Sequence, residues 1–168
     1  MARVISDAGP LIALAKIDAL FIPRDLFARI RIPEAVWIEC REKPGEDSRR
    51  IEQAAHEGWL EVVSVASGRA ARPQSLGPGE GEAIQLALET ENALLIMDDR
   101  LARREAMRHG LSYIGTARML YMAERRSLID DAAVVVQHMA ACGYRISPLL
   151  LQQLRARHGA NEPSGSAS

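Results

Sequence analysis

Short apolar runs alternate with stretches whose apolar residues return every three or four positions, the periods of buried strand and packed helix. Arg3 to Ser6 reads as a short buried strand ending at Asp7, and Gly9-Pro10 then opens an apolar helix, Leu11 to Leu20, with proline suited to its first turn. Arg29 to Ile32 is a second strand, and Pro33 begins a helix that carries Glu39 about two turns in. Gly45 to Glu57 is polar and helical, Leu60 to Val65 is a strand, and Ala66 to Pro78 is a Gly/Pro/Ser/Arg-containing loop placed to border a site. Gly79-Glu80-Gly81-Glu82 leads into a helix over Ala83 to Glu91, followed by a strand from Ala93 to Met97 that Asp98-Asp99 ends.

Arg100 to His109 is helical and stopped by Gly110; Tyr113-Ile114 is a brief strand, and Thr116 is placed to cap a helix running to about Arg126. Asp130 is positioned to cap a further helix through roughly Cys142, and Ser147-Pro148 to start another ending near His158. Strands alternating with helices predict an α/β fold, a three-layer α/β/α sandwich around a mainly parallel sheet with C-terminal helices. The expected organisation is one domain over residues 1–158 and a disordered tail over 159–168. Ligands of such sheets lie outside the carboxyl ends of the strands, where Asp7, Asp98 and Asp99 fall.

Composition narrows the function. With 48% hydrophobic and 26% charged residues the chain is expected to fold, and with only Cys40 and Cys142 it offers neither a disulfide framework nor paired zinc-ligand spacing. No apolar run approaches the roughly 18 residues of a membrane span, and the N-terminus reaches Asp7 too soon for a signal peptide, so the expectation is a cytoplasmic protein without membrane attachment. A net charge of -1 argues against indiscriminate polyanion binding, so any nucleic acid would bind locally. Of 21 basic residues only Lys16 and Lys43 are lysine; the arginine bias suits phosphate or carboxylate pairing and equally reflects genomic composition.

If the first and fourth strands are adjacent, their terminal acids become neighbours, and like charges held that close need a cation or a raised pKa. Magnesium binds through a few carboxylates plus substrate phosphate, which suits phosphodiester hydrolysis. Taken singly, Asp7 reads as a helix cap or turn residue.

The run Val4-Ile5-Ser6-Asp7-Ala8-Gly9-Pro10-Leu11-Ile12 resembles the opening of PIN-domain proteins, especially a VapC-like branch of small nucleases and toxins. Ile32 to Glu39 resembles the second motif, Gly79 to Ala87 the third, Leu94 to Arg100 the fourth; Ile114-Gly115-Thr116 and Gly143 to Ser147 also match the branch. The resemblance thus runs over essentially Val4 to His158. It implies an acidic cluster of Asp7, Glu39, Glu82 and Asp99 holding Mg²⁺ or Mn²⁺ for RNA cleavage, in-line attack by water and no covalent protein intermediate. The arginine after Asp99 favours Asp99 as the match, with Asp98 a ligand or a cap; Glu82 stands where many relatives have Asp, and Glu80, two residues earlier, is expected to point elsewhere. A toxin role, a cognate antitoxin and homodimerisation are further implications of the resemblance. Leu149, Leu150, Leu151 and Leu154 would serve a dimer or simply the core.

Arg100, Arg103, Arg104 and Arg108 share a helical face after Asp99, to guide RNA phosphates, to face solvent or, for Arg103, to pair with the acids. Thr116 caps its helix, sits near the metal, or both. His56, His109, His138 and His158 lack ligand spacing; Cys40 is turned away from Glu39 and reads as buried; Trp37, Trp59 and Tyr121 read as packing residues. The competing functions are a non-catalytic PIN-like module binding RNA or protein, and a phosphoacceptor domain, against which the absence of a suitable lysine after the later strand counts.

Overall fold

The computed structural model describes residues 1–66, 75–146, 152, 153 and 156. Chain order runs β1 (Arg3–Ser6), α1 (Ala8–Lys16), α2 (Phe21–Phe27), β2 (Ile30–Pro33), α3 (Glu34–Arg41), α4 (Glu46–His56), β3 (Leu60–Val63), α5 (Pro78–Leu88), β4 (Ala93–Ile96), α6 (Arg100–Arg108), β5 (Ser112–Ile114), α7 (Thr116–Arg125) and α8 (Ala132–Ala141). The five strands form one sheet in the order β3-β2-β1-β4-β5, and every pairing is parallel. The three-layer α/β sandwich expected from the strand–helix alternation is the architecture found.

Side-chain alternation sorts the two faces of the sheet. Val4 and Ile96 face a large core with Ile30, Ile32, Leu11, Leu14, Met119, Leu120 and Val136, so α1, α7 and α8 cover that side. Ile5, Leu95 and Met97 face a smaller core with Ala83, Ile84, Ala102 and Ala106, from α5 and α6. Small alanines on these two helices let them lie close to the sheet. Burial of Ile5, Leu95 and Ile96, each at most 1% exposed, explains why both strands read as unbroken apolar runs.

Strand order reverses between β1 and β4, which pair from Arg3↔Ala93 to Ser6↔Ile96. The connections leaving these strands go to opposite faces and open a crevice at their carboxyl ends. The Asp7 N–H donates to the Ile96 carbonyl at 2.9 Å, and the Met97 N–H to the Ile114 carbonyl at 3.1 Å, so the ladder continues one residue past each strand and brings Asp7 beside Asp98.

Several boundaries differ from expectation. The first helix stops at Lys16, and a separate α2 follows that the periodicity does not reveal, because it is only two turns long, lacks a polar cap and has Pro23 in its first turn. It buries Ile22, Pro23 and Leu26. Helix α5 begins at Pro78, five residues before Ala83, since proline at the first position pre-sets the helical φ and Gly79 and Gly81 are both buried within the turn. Helix α8 is capped by Asp131 rather than Asp130, its carboxylate accepting from the Ala133 N–H at 2.8 Å. Gly110, with φ of +68°, ends α6 as its position predicts. The expected helix from Ser147 to His158, the tail and most of the loop after Ala66 lie outside the described residues.

Candidate metal centre

Five of the six carboxylates in this crevice accept from the N-terminus of a helix. Glu39 Oε1 accepts from the Gly79 N–H at 2.8 Å and Glu80 Oε2 from the Gly77 N–H at 3.1 Å, both at the start of α5. Glu82 Oε2 accepts from the Ala35 N–H of α3 at 2.9 Å, and Asp99 Oδ1 from the Ala102 N–H of α6 at 2.8 Å. Asp98 Oδ1 accepts from the Thr116 N–H of α7 at 2.8 Å. The positive ends of four helices therefore offset much of the repulsion among the acids. Closely packed backbone makes this possible: a Cβ on Gly79 would stand 2.5 Å from Glu39 Oε1, and one on Gly115 would collide with the Arg103 guanidinium.

Asp7 is the exception. It occupies the N-cap position of α1 without a side-chain capping bond, it is 6% exposed, and its Oδ1 is buried with no hydrogen-bond partner among the described residues. Burial pushes its pKa up to about 7, and the charges of Glu80, Glu39 and Asp98 push the same way against a backbone hydrogen bond at Ala8. Burial likewise raises Glu80, with Asp99 and Glu39 adding to it against the Gly77 hydrogen bond. An unpaired carboxylate oxygen surrounded by three more acids is what a hard divalent cation would satisfy. Among the described residues no three acids, histidines or cysteines converge on one ligating point, because Glu39, Glu80 and Asp98 are drawn to helix N-termini. A carboxylate that accepts through one oxygen keeps the other for a ligand, and the orphaned Asp7 Oδ1, with the charges of Glu80 and Glu39 close enough to act on it, is the feature that suits such an ion.

The expected site residues divide along this geometry. Asp7, Glu39 and Asp98 come together; Asp99 is exposed and caps α6 while its charge still acts on Glu80, and Glu82 reaches across to α3. The expectation that Glu80 points away from the site is corrected. Because α5 starts at Pro78, Glu80 lies in the first turn, folds back over Gly77, and is the carboxylate with the largest influence on Asp7. Thr116 is also corrected as a cap: Gly115 is the N-cap residue, and Asp98 performs the capping from another element.

Asp98 is held by four donors. Besides the Thr116 N–H these are the Thr116 hydroxyl at 2.6 Å, the Arg103 Nη2 at 3.3 Å and the Tyr144 hydroxyl. Tyr144, just past α8, has its own pKa raised, first by burial and then by the Asp98 charge. Sequence spacing alone does not reveal this tyrosine, 46 residues from Asp98. Arg103 also donates from Nε to the Met97 carbonyl at 2.9 Å and lies over the Tyr113 ring, so it belongs to the acid's support. Arg100 and Arg104 are exposed, and Arg108 pairs with Glu105 at 3.2 Å.

The remaining candidates take ordinary roles. Cys40 is 2% exposed and its thiol is pushed up to about 12, mainly by burial and then by Asp7, Glu39 and Asp47, so it is no nucleophile at neutral pH. Trp59 packs in the core, Trp37 lies against it under the Arg41 guanidinium at 4.9 Å, and Tyr121 is half-buried. His56, His109 and His138 are exposed. No helix among the described residues is long and apolar enough to cross a membrane.

Among curated proteins none matches the sequence significantly. A PilT N-terminus domain protein from the hyperthermophilic archaeon Sulfolobus solfataricus P2 superposes with a TM-score of 0.51 at 19% identity, over 71% of this chain and 92% of that one, which is a likeness of fold. A family profile, DUF3368, described as a PIN domain, matches residues 3–160. With an all-parallel sheet, a crevice at its switch point and acids gathered there, the chain belongs to the PIN-domain family, whose members are generally nucleases.

Proposed function

We propose that this protein is a metal-dependent nuclease that hydrolyses RNA phosphodiester bonds, with Asp7, Glu39 and Glu80 holding Mg²⁺ or Mn²⁺ and Asp98 adding its charge. The observation that carries the reading is Asp7 Oδ1, buried and unpartnered in a crevice of carboxylates. When bound, such an ion supplies charge to the scissile phosphate and lowers the pKa of water that attacks it. The protein's own contribution is placement. Asp7 is fixed by the β1 ladder, Glu39 by the α5 N-terminus, and Asp98 by Thr116, Arg103 and Tyr144. Asp98, rather than Asp99, is the acid of the β4 end assigned to the centre, because its charge reaches Asp7 whereas Asp99 secures α6. Glu82 is assigned to securing α3.

Cys40, the cysteine beside Glu39, is buried with its thiol pKa raised and so supplies no thiolate nucleophile, in keeping with direct attack by water. The decisive experiment measures Mn²⁺ binding by calorimetry alongside cleavage of a mixed RNA pool, for wild type, Asp7→Asn and Glu80→Gln. Loss of both binding and cleavage in folded Asp7→Asn supports the reading; cleavage that persists in Asp7→Asn or in chelator rejects it. A toxin role, with a cognate antitoxin and a homodimer, is the biological setting that the VapC-like resemblance favours. Growth arrest on expression, relieved by co-expressing the adjacent reading frame, supports it, and normal growth with an active enzyme counts against it.

A further inference from the structure

Beside Asp98, along the β5 edge of the sheet, the fold leaves a cavity of about 550 Å³. Its size lies within the roughly 300–1,000 Å³ of small-molecule sites. Arg103, Arg118 and Arg145 line it against a single carboxylate, Asp98. Arg103 is committed to Asp98 and the Met97 carbonyl. Arg118, in the first turn of α7, and Arg145, just beyond α8, are exposed and make no ion pair with any described residue. Tyr113 and Tyr144 supply two aromatic rings, and Ile114 and Val136 an apolar wall.

Two guanidinium groups with no ion pair among the described residues, and aromatic rings beside an apolar wall, match the two halves of a nucleotide. Arginine forks take phosphate through paired hydrogen bonds, and rings accept a base whatever its sequence. We propose that this cavity is a subsite for one nucleotide of single-stranded RNA beside the scissile phosphate, its phosphate held by Arg118 and Arg145 and its base lying along Tyr113 and Tyr144. The word scissile rests on the nuclease reading; the nucleotide site itself does not. The base has to be unstacked to enter, so a duplex is excluded. Tyr144 touches both sites, since its hydroxyl holds Asp98 while its ring lines the cavity, which sets the bound nucleotide directly against the acid cluster.

The test is fluorescence anisotropy of a short labelled single-stranded RNA on the intact protein in chelator, where no cleavage occurs. Replacing both exposed arginines, Arg118→Ala with Arg145→Ala, should weaken binding roughly tenfold and flatten the plot of log affinity against log salt by about 0.7, the counterion release of one neutralised phosphate on a single strand. Tyr113→Leu should weaken binding by about tenfold with an unchanged salt slope. A blunt duplex should compete poorly. Unchanged affinity and slope in the double arginine variant overturn the proposal, as does a duplex or an acidic peptide that displaces the RNA as well as unlabelled single strand does. Binding lost in the arginine variant of a protein that never cleaves RNA keeps the subsite and removes the nuclease. Cleavage with unaltered arginine-variant binding does the reverse.

Discussion

Asp7 concentrates the residue-scale argument, because a buried carboxyl at a helix start that makes no capping bond costs stability once ionised. Its folded pKa, about 7, lies above the ordinary aspartate value of 3.8, so between those values the folded state holds a proton that the unfolded state has lost. Stability contributed by this group is thus full below about pH 4 and falls as pH rises to about 7. In chelator, Asp7→Asn is expected to melt at or above wild type at pH 8, by up to about 4 kcal/mol, with the gap closing toward pH 4. Thermal melts at the two pH values check it; a variant less stable at pH 8 counts against the assignment. The same proton leaves when a cation binds, so Mn²⁺ affinity of wild type should rise across pH 6 to 8, measured by calorimetry. Glu80 and Glu82 make a paired test. Glu80→Gln is expected to weaken Mn²⁺ about tenfold or more with little loss of stability, whereas Glu82→Gln should cost roughly 1 kcal/mol through the α3 N-terminus and leave affinity near wild type. The reverse pattern would return Glu82 to the centre.

At the scale of elements, the acids and helices support one another. Helices α3, α5, α6 and α7 each begin at a carboxylate from elsewhere in the crevice or at the preceding Asp99, so the site is also a set of caps. Gly79 is the tightest joint. Gly79→Ala would drive a methyl against Glu39, and is expected to cost about 1–3 kcal/mol or to swing Glu39 away with a loss of metal affinity. Denaturant unfolding and Mn²⁺ titration read the two effects; an alanine variant unchanged in both would show that Glu39 is not held at this joint. Element identity was largely legible in the sequence, through the strand–helix alternation and Pro10, Pro33 and Gly110. Helix α2 was not, and neither was the early start of α5. There the sequence shows Gly-rich polar residues, and it is burial of Gly79 and Gly81 against neighbouring elements that makes the turn helical.

For the whole molecule, divalent cation should behave as a stabilising ligand. At about a hundredfold over its dissociation constant it adds roughly 2.7 kcal/mol, or about 5–10 °C in a domain of this size. That rise is expected for wild type and absent in Asp7→Asn, and a scan that shows equal shifts for both places the ion elsewhere. With a net charge of -1, the proposed RNA binding would rest on exposed arginines, among them Arg100, Arg104, Arg118 and Arg145.

The sequence by itself determined the sandwich, the parallel sheet and the presence of acids at two strand ends, because those depend on periodicity and on order along the chain, while the family came from the resemblance of its ordered motifs. It also put Asp7 just past the first strand and Glu39 within the helix after Pro33, which is where these elements carry them. Which of Glu80 and Glu82, and which of Asp98 and Asp99, joins Asp7 was decided only in three dimensions. Residues one or two apart differ in direction by the local start of a helix and by the donors that meet them, and those donors, Thr116, Arg103, Tyr144 and the N-termini of α5 and α7, come from distant parts of the chain. The nucleotide-sized cavity is a tertiary product for the same reason: its tyrosines and arginines lie on β5, α6, α7 and the segment after α8, and only the packing of those elements brings them around one cavity.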